Sequence, residues 1–188
     1  SLQDGNGVRQ TIDVNSSTSF GLAEIRNFTT GTGSATDVFD YKSNLVAGDG
    51  TTLSSGTDLT LTTIVSSARA TNVISANSTG VIEFESTNLS IDIDNSTTTQ
   101  VLDAVEALLE STNSSTNLTG ASAGVTQGTA NTDSLLVFYD DTASSAIIRY
   151  QEGGTSEADF SGELSIVTIF QELSSSATND TFTDTNII

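Results

Sequence analysis

Acidic residues recur in this chain in short groups, most of them near glycine, asparagine or another acid: Asp4 with Asn6, Asp37 with Asp40, Asp49, Asp92 with Asp94, Asp140 with Asp141, and Glu152 with Glu157 and Asp159. Hard oxygen donors of this kind suit calcium, which takes roughly six to eight oxygen ligands, and nearby glycine lets the backbone curl around the ion. No group has EF-hand spacing, so each also reads as a solvated acidic turn. Paired carboxylates offer a second chemistry, acid and base in glycoside hydrolysis. Glu83 with Glu85, and Asp92 with Asp94, would share one face of an extended strand. Sugar sites usually add aromatic platforms, whereas this chain has no Trp and only Tyr41, Tyr139 and Tyr150. With no His and no Cys there is no imidazole base, no thiolate nucleophile and no soft metal site. The expected protein is therefore not an enzyme, with calcium as its candidate cofactor.

The wider composition bounds what carries these groups. Leu, Ile, Val and Phe make 48 of 188 residues, enough for a core, while Ser and Thr number 59, a bias toward strands, turns and solvated surface. A formal charge of −19 repels nucleic-acid phosphates and anionic lipid surfaces, so no nucleic-acid partner is expected. No apolar run is long enough for a membrane-spanning helix, and no basic-then-apolar stretch follows Ser1, so neither a membrane span nor an N-terminal signal peptide is expected in these residues.

Positioning falls mostly to strands. Alternating or short apolar runs predict strands near residues 8–14, 22–28, 38–41, 59–65, 71–75, 81–85 and 89–93, the last with Leu89, Ile91 and Ile93 opposite Ser90, Asp92 and Asp94. Val101, Leu102, Val105, Leu108 and Leu109 instead form one helical stripe; Thr97 and Gln100 resemble a capping box, predicting a helix over about 97–110 that packs on a sheet. Leu135 to Tyr139, Ala146 to Tyr150 and Leu164 to Phe170 read as a β-meander. The expected fold is mainly β, an antiparallel β-sandwich or β-roll-like sheet with one packed amphipathic helix. The expected organisation is a β-rich region over 1–118, a flexible connection over 119–131, and a C-terminal meander with a tail over 132–188.

Two stretches carry a family resemblance. Ile25 to Gly31 running into Asp37-Val38-Phe39-Asp40 resembles the segment that often follows calcium-binding glycine-aspartate repeats in exported bacterial repeats-in-toxin proteins. Thr132 to Asp141, with the strands and acidic loop after it, resembles the C-terminal hairpin region of type I-secreted surface proteins, including S-layer proteins. The tandem nonapeptide of a calcium-loaded β-roll is absent, so any such repeats would precede Ser1. The resemblance implies an uncleaved C-terminal export signal, for which Asp184, Ile187 and Ile188 are the matching residues. Two terminal Ile on a polar tail are expected to dock, on their own sheet or on a neighbouring subunit.

Eight Asn-x-Ser/Thr sequons occur, at Asn15, Asn27, Asn77, Asn88, Asn95, Asn113, Asn117 and Asn179, against about four expected by chance from this composition. In a typical bacterium they are polar turns; in an archaeon or eukaryote several would carry glycans. The expected function is that of a non-enzymatic, extracellular cell-surface structural protein, a subunit that self-associates into a layer, filament or lattice. The alternatives are the C-terminal module of a calcium-dependent adhesin, with cell-surface polysaccharide as a partner, and a carboxylate-based polysaccharide hydrolase.

Overall fold

A computed structural model describes residues 2–3, 11–13, 24–30, 36–41, 45, 61–64, 81–109, 133–140, 144–151, 160, 162–171, 182 and 186–187. The strands are β1 (Leu2–Gln3), β2 (Thr11–Asp13), β3 (Glu24–Arg26), β4 (Val38–Asp40), β5 (Leu61–Ile64), β6 (Val81–Asn88), β7 (Asp133–Tyr139), β8 (Ser145–Gln151) and β9 (Leu164–Gln171). The helix α1 spans Thr98–Leu109 between β6 and β7. Among the described residues the fold is mainly β with one helix, as expected. The expected connection over 119–131 and the strand over 71–75 lie outside the described residues.

Seven strands form one sheet in the order β1-β3-β9-β8-β7-β6-β5, and β2 with β4 form a second. The β7-β8-β9 meander is antiparallel, as expected, but β1-β3, β3-β9, β5-β6 and β6-β7 are parallel pairs. The large sheet is thus mixed rather than wholly antiparallel. Side-chain alternation fixes which residues share a face and is blind to a neighbour's direction. Parallel neighbours need a crossover, and α1 provides it between β6 and β7, giving a β-α-β unit.

Each face of this sheet is covered. Ile82, Phe84, Leu136, Phe138, Ala146, Ile148 and Ile169 point toward α1, whose Val101 and Val105 are fully buried with Leu102, Ala104 and Leu108 packed beside them. The Phe84 and Phe138 rings stack with centroids 4.4 Å apart. Val81, Leu135, Val137, Tyr139, Ile147 and Phe170 point the other way, onto Phe28, Phe39, Phe182 and Ile187. Every residue of β7 is buried, as a central strand covered on both sides must be. In β9 a bulge lies opposite the Ile147–Ile148 step, and its extra residue lets Ile166 and Ile169, three apart, face the same side.

The helix start follows its capping box. Gln100 N–H donates to Thr97 Oγ1 at 3.3 Å and Thr97 N–H donates back to Gln100 Oε1 at 2.9 Å. Residues 89–97, by contrast, do not form the expected strand. Leu89 N–H donates to the Tyr139 carbonyl at 2.7 Å, and the Asp92 carboxylate then bends the chain by accepting the Asn95 N–H and side-chain amide. Leu89 and Ile93 are buried all the same, so a loop reproduces the period-two signal of a strand.

Candidate metal centre

Both β6 and β7 run toward the same edge of the sheet, and the segments just past their C-terminal ends carry acids. Asp92 and Asp94 lie between β6 and α1; Asp140 directly follows β7. Their carboxylate oxygens come within 4.8 Å of one another, Asp92 and Asp94 half-buried and Asp140 buried. One calcium ion with oxygens about 2.3–2.6 Å away accommodates oxygen pairs up to roughly 5 Å apart, so three carboxylates at this spacing fit a single coordination sphere. The donor set is all oxygen, which suits calcium or magnesium and not a soft metal.

Asp140 has a structural task of its own. Its Oδ2 accepts the Ile93 N–H at 2.8 Å and its Oδ1 the Ser144 N–H at 2.9 Å, while its own N–H donates to the Ser144 carbonyl. One side chain therefore closes the β7–β8 turn and ties the 89–97 segment to it. A carboxylate oxygen can accept a second contact beside one N–H bond, so these bonds by themselves do not preclude coordination.

The hydrogen bond between Asp92 and Asp94 draws their carboxyls in opposite directions. A hydrogen bond with Asp92 raises the Asp94 carboxyl above the ordinary 3.8, with burial and the charges of Asp92 and Asp140 adding to the shift. The hydrogen bond from Asp94 in turn lowers Asp92, helped by the Asn95 amide. A cation between these carboxylates would offset the repulsion that helps to raise Asp94.

The other expected residues separate. Asp37 is buried and its Oδ2 accepts the Thr29 N–H at 2.8 Å, while Asp37 N–H donates to the Thr29 carbonyl, so it ties the start of β4 to the end of the β3 segment. Asp40 ends β4, half-buried. Among the described residues neither joins a group of three acids. Glu83 is fully buried on the face away from α1, where the Tyr139 hydroxyl donates to its carboxylate. Asp4, Asn6, Asp49, Asp141, Glu152, Glu157, Asp159, Asp184 and Ile188 lie outside the described residues, as does the Glu85 side chain.

The tail docks on its own chain. Ile187 is buried and bridges Phe39 in parallel, Phe39 N–H donates to the Asn186 carbonyl at 2.7 Å, and the Asn186 side-chain amide donates to the Asp37 carbonyl at 2.9 Å. Phe182 packs between Phe28 and Phe170, with ring centroids 6.0 and 5.3 Å away. Among the described residues no helix is long and apolar enough to cross a membrane.

No protein-family model, curated protein or solved structure matches the chain. Its own donors define the chemistry of the site. The sequence places Asp92 with Asp94 in one group and Asp140 with Asp141 in another, and does not join the two. The available signal was topological: a strand, a helix and a second strand in parallel carry the loops beyond both strand ends to one edge.

Proposed function

We propose that the protein is a non-enzymatic structural subunit exported to the cell surface, in which calcium held by Asp92, Asp94 and Asp140 locks the β6–α1 loop to the β7–β8 turn. The observation that carries this reading is the convergence of three carboxylates on one sheet edge, where the charges of Asp92 and Asp140 help to raise the Asp94 carboxyl. The strong acidity of the chain and the lack of cysteine support a setting where divalent cations, rather than disulfides, add stability. The resemblance to type I-secreted surface proteins supports export, and a Thr-rich strand such as β5 at the edge of the described sheet suits self-association.

The test combines location with assembly. Intact producing cells are treated with an impermeant label, and the purified protein is imaged by electron microscopy with millimolar calcium and with chelator. The expected result is labelled protein that forms ordered layers or filaments in calcium and disperses in chelator. Protein protected inside the cell, or a dispersed monomer in both conditions, contradicts the proposal.

A further inference from the structure

Of the two sequons whose acceptor side chains the structure describes, one is fully occupied by the fold. Asn95 Nδ2 donates to Asp92 Oδ2 at 2.8 Å, the Ser96 hydroxyl donates to the Asp92 carbonyl, and the Thr97 hydroxyl caps α1. Local structure accounts for all three residues of Asn95-Ser96-Thr97.

Asn27-Phe28-Thr29 is different. Asn27 is exposed immediately past the end of β3, with φ at 56°, a left-handed turn conformation that asparagine tolerates better than most residues. Thr29 is also exposed and serves the loop through its backbone, its N–H donating to Asp37 Oδ2 and its carbonyl accepting from Asp37 N–H. The turn needs residue 27 to adopt positive φ, and the clasp needs only a peptide unit at 29. Neither requires a hydroxyl two residues after the asparagine. Phe28 between them points inward, its ring 4.7 Å from Phe170, so both sequon side chains are held toward solvent.

We infer that Asn27 is an N-glycosylation site, its side-chain amide carrying an oligosaccharide transferred from a polyprenyl-phosphate-linked donor. This rests on the exported reading above but not on a type I route, because such donors and their transferases act at the outer or lumenal face of a membrane, which a type I channel bypasses. In the transfer, Nδ2 bonds to the anomeric carbon of the first sugar, the bond from that carbon to the carrier phosphate oxygen breaks, the phosphate leaves with the electron pair, and the amide gives up one proton. Because Phe28 is locked against Phe170 and Phe182, a transferase reaches the sequon before this cluster closes. The glycan then projects from an exposed turn without displacing packed residues.

The test uses protein recovered from the surface of its producing cells. Cleavage after Glu24 and Lys42 frees Ile25 to Lys42, in which Asn27 is the only sequon. Tandem mass spectrometry is expected to find a sugar increment on Asn27 that is lost in Thr29→Ala and kept in Thr29→Ser. An unmodified peptide from surface-recovered protein overturns the glycan and leaves export standing. Protein confined to the cytoplasm with an unmodified peptide overturns both. A sugar increment persisting in Thr29→Ala overturns sequon-directed transfer.

Discussion

Replacing Asp140 separates the structural part of the acidic site from any contribution of a metal. In chelator, Asp140→Ala removes the acceptor for two N–H groups, those of Ile93 and Ser144, at a position 3% exposed. Hydrogen bonds to a charged acceptor contribute about 1.5–3 kcal/mol each, so the pair amounts to about 3–6 kcal/mol, with the lower end applying if water enters the space. For a chain of this size, each kcal/mol shifts Tm by roughly 2–4 °C, so a fall of about 6–12 °C is expected at that lower end. Asp140→Asn keeps one carbonyl oxygen and turns its amide toward the second donor, so about half the loss is expected. Thermal and urea unfolding give the magnitudes, and hydrogen exchange at the Ile93 and Ser144 amides locates them. A loss below about 0.5 kcal/mol for Asp140→Ala, with both amides still protected, would refute the assignment of Asp140 as the tie between the two loops.

The Asp92–Asp94 pair, the helix and the tail each give a further prediction. The raised Asp94 carboxyl contributes stability that is present below its ordinary 3.8 and is lost as pH rises through its folded value; the lowered Asp92 contributes above that range and loses its share as pH falls. In chelator, Asp94→Asn imitates the protonated form at every pH, so its Tm relative to wild type should rise from pH 4 to pH 7; a constant difference contradicts the raised Asp94 carboxyl. Val105→Ala deletes two fully buried methyl groups and should cost about 1.5–3 kcal/mol in urea unfolding, and Leu108→Ala, only partly buried, about 1–2.5 kcal/mol. Losses under about 0.5 kcal/mol for both indicate a helix not packed on the sheet. Ile187→Ala should cost about 2–4 kcal/mol and expose the Phe39 amide to exchange, and an unchanged Phe39 exchange rate contradicts tail docking.

Much of the local structure is legible in the sequence because it is set by neighbours along the chain. The stripe from Val101 to Leu108 and the Thr97–Gln100 pair give α1 and its start, and the three meander strands fall within a few residues of their apolar runs. Strand direction is not legible, because Leu135 to Tyr139 alternates identically beside a parallel or an antiparallel neighbour. The 89–97 segment misleads for a related reason. Leu89 and Ile93 alternate inward, yet the Asp140 carboxylate takes the Ile93 N–H and the Asp92 carboxylate turns the chain by accepting the Asn95 N–H. The joining of Asp92 and Asp94 with Asp140 likewise depends on the parallel register of β6 and β7, which only the folded chain supplies.

Calcium binding to the chelated protein, followed by titration calorimetry at neutral pH, tests the central claim most directly. The predicted result is one site per chain, abolished in Asp94→Asn, and a gain in stability set by RT ln(1 + [L]/Kd), about 2.7 kcal/mol at a hundredfold excess of calcium over Kd, read as a rise in Tm. The absence of binding heat at millimolar calcium together with an unchanged Tm, or binding that Asp94→Asn leaves intact, would contradict it.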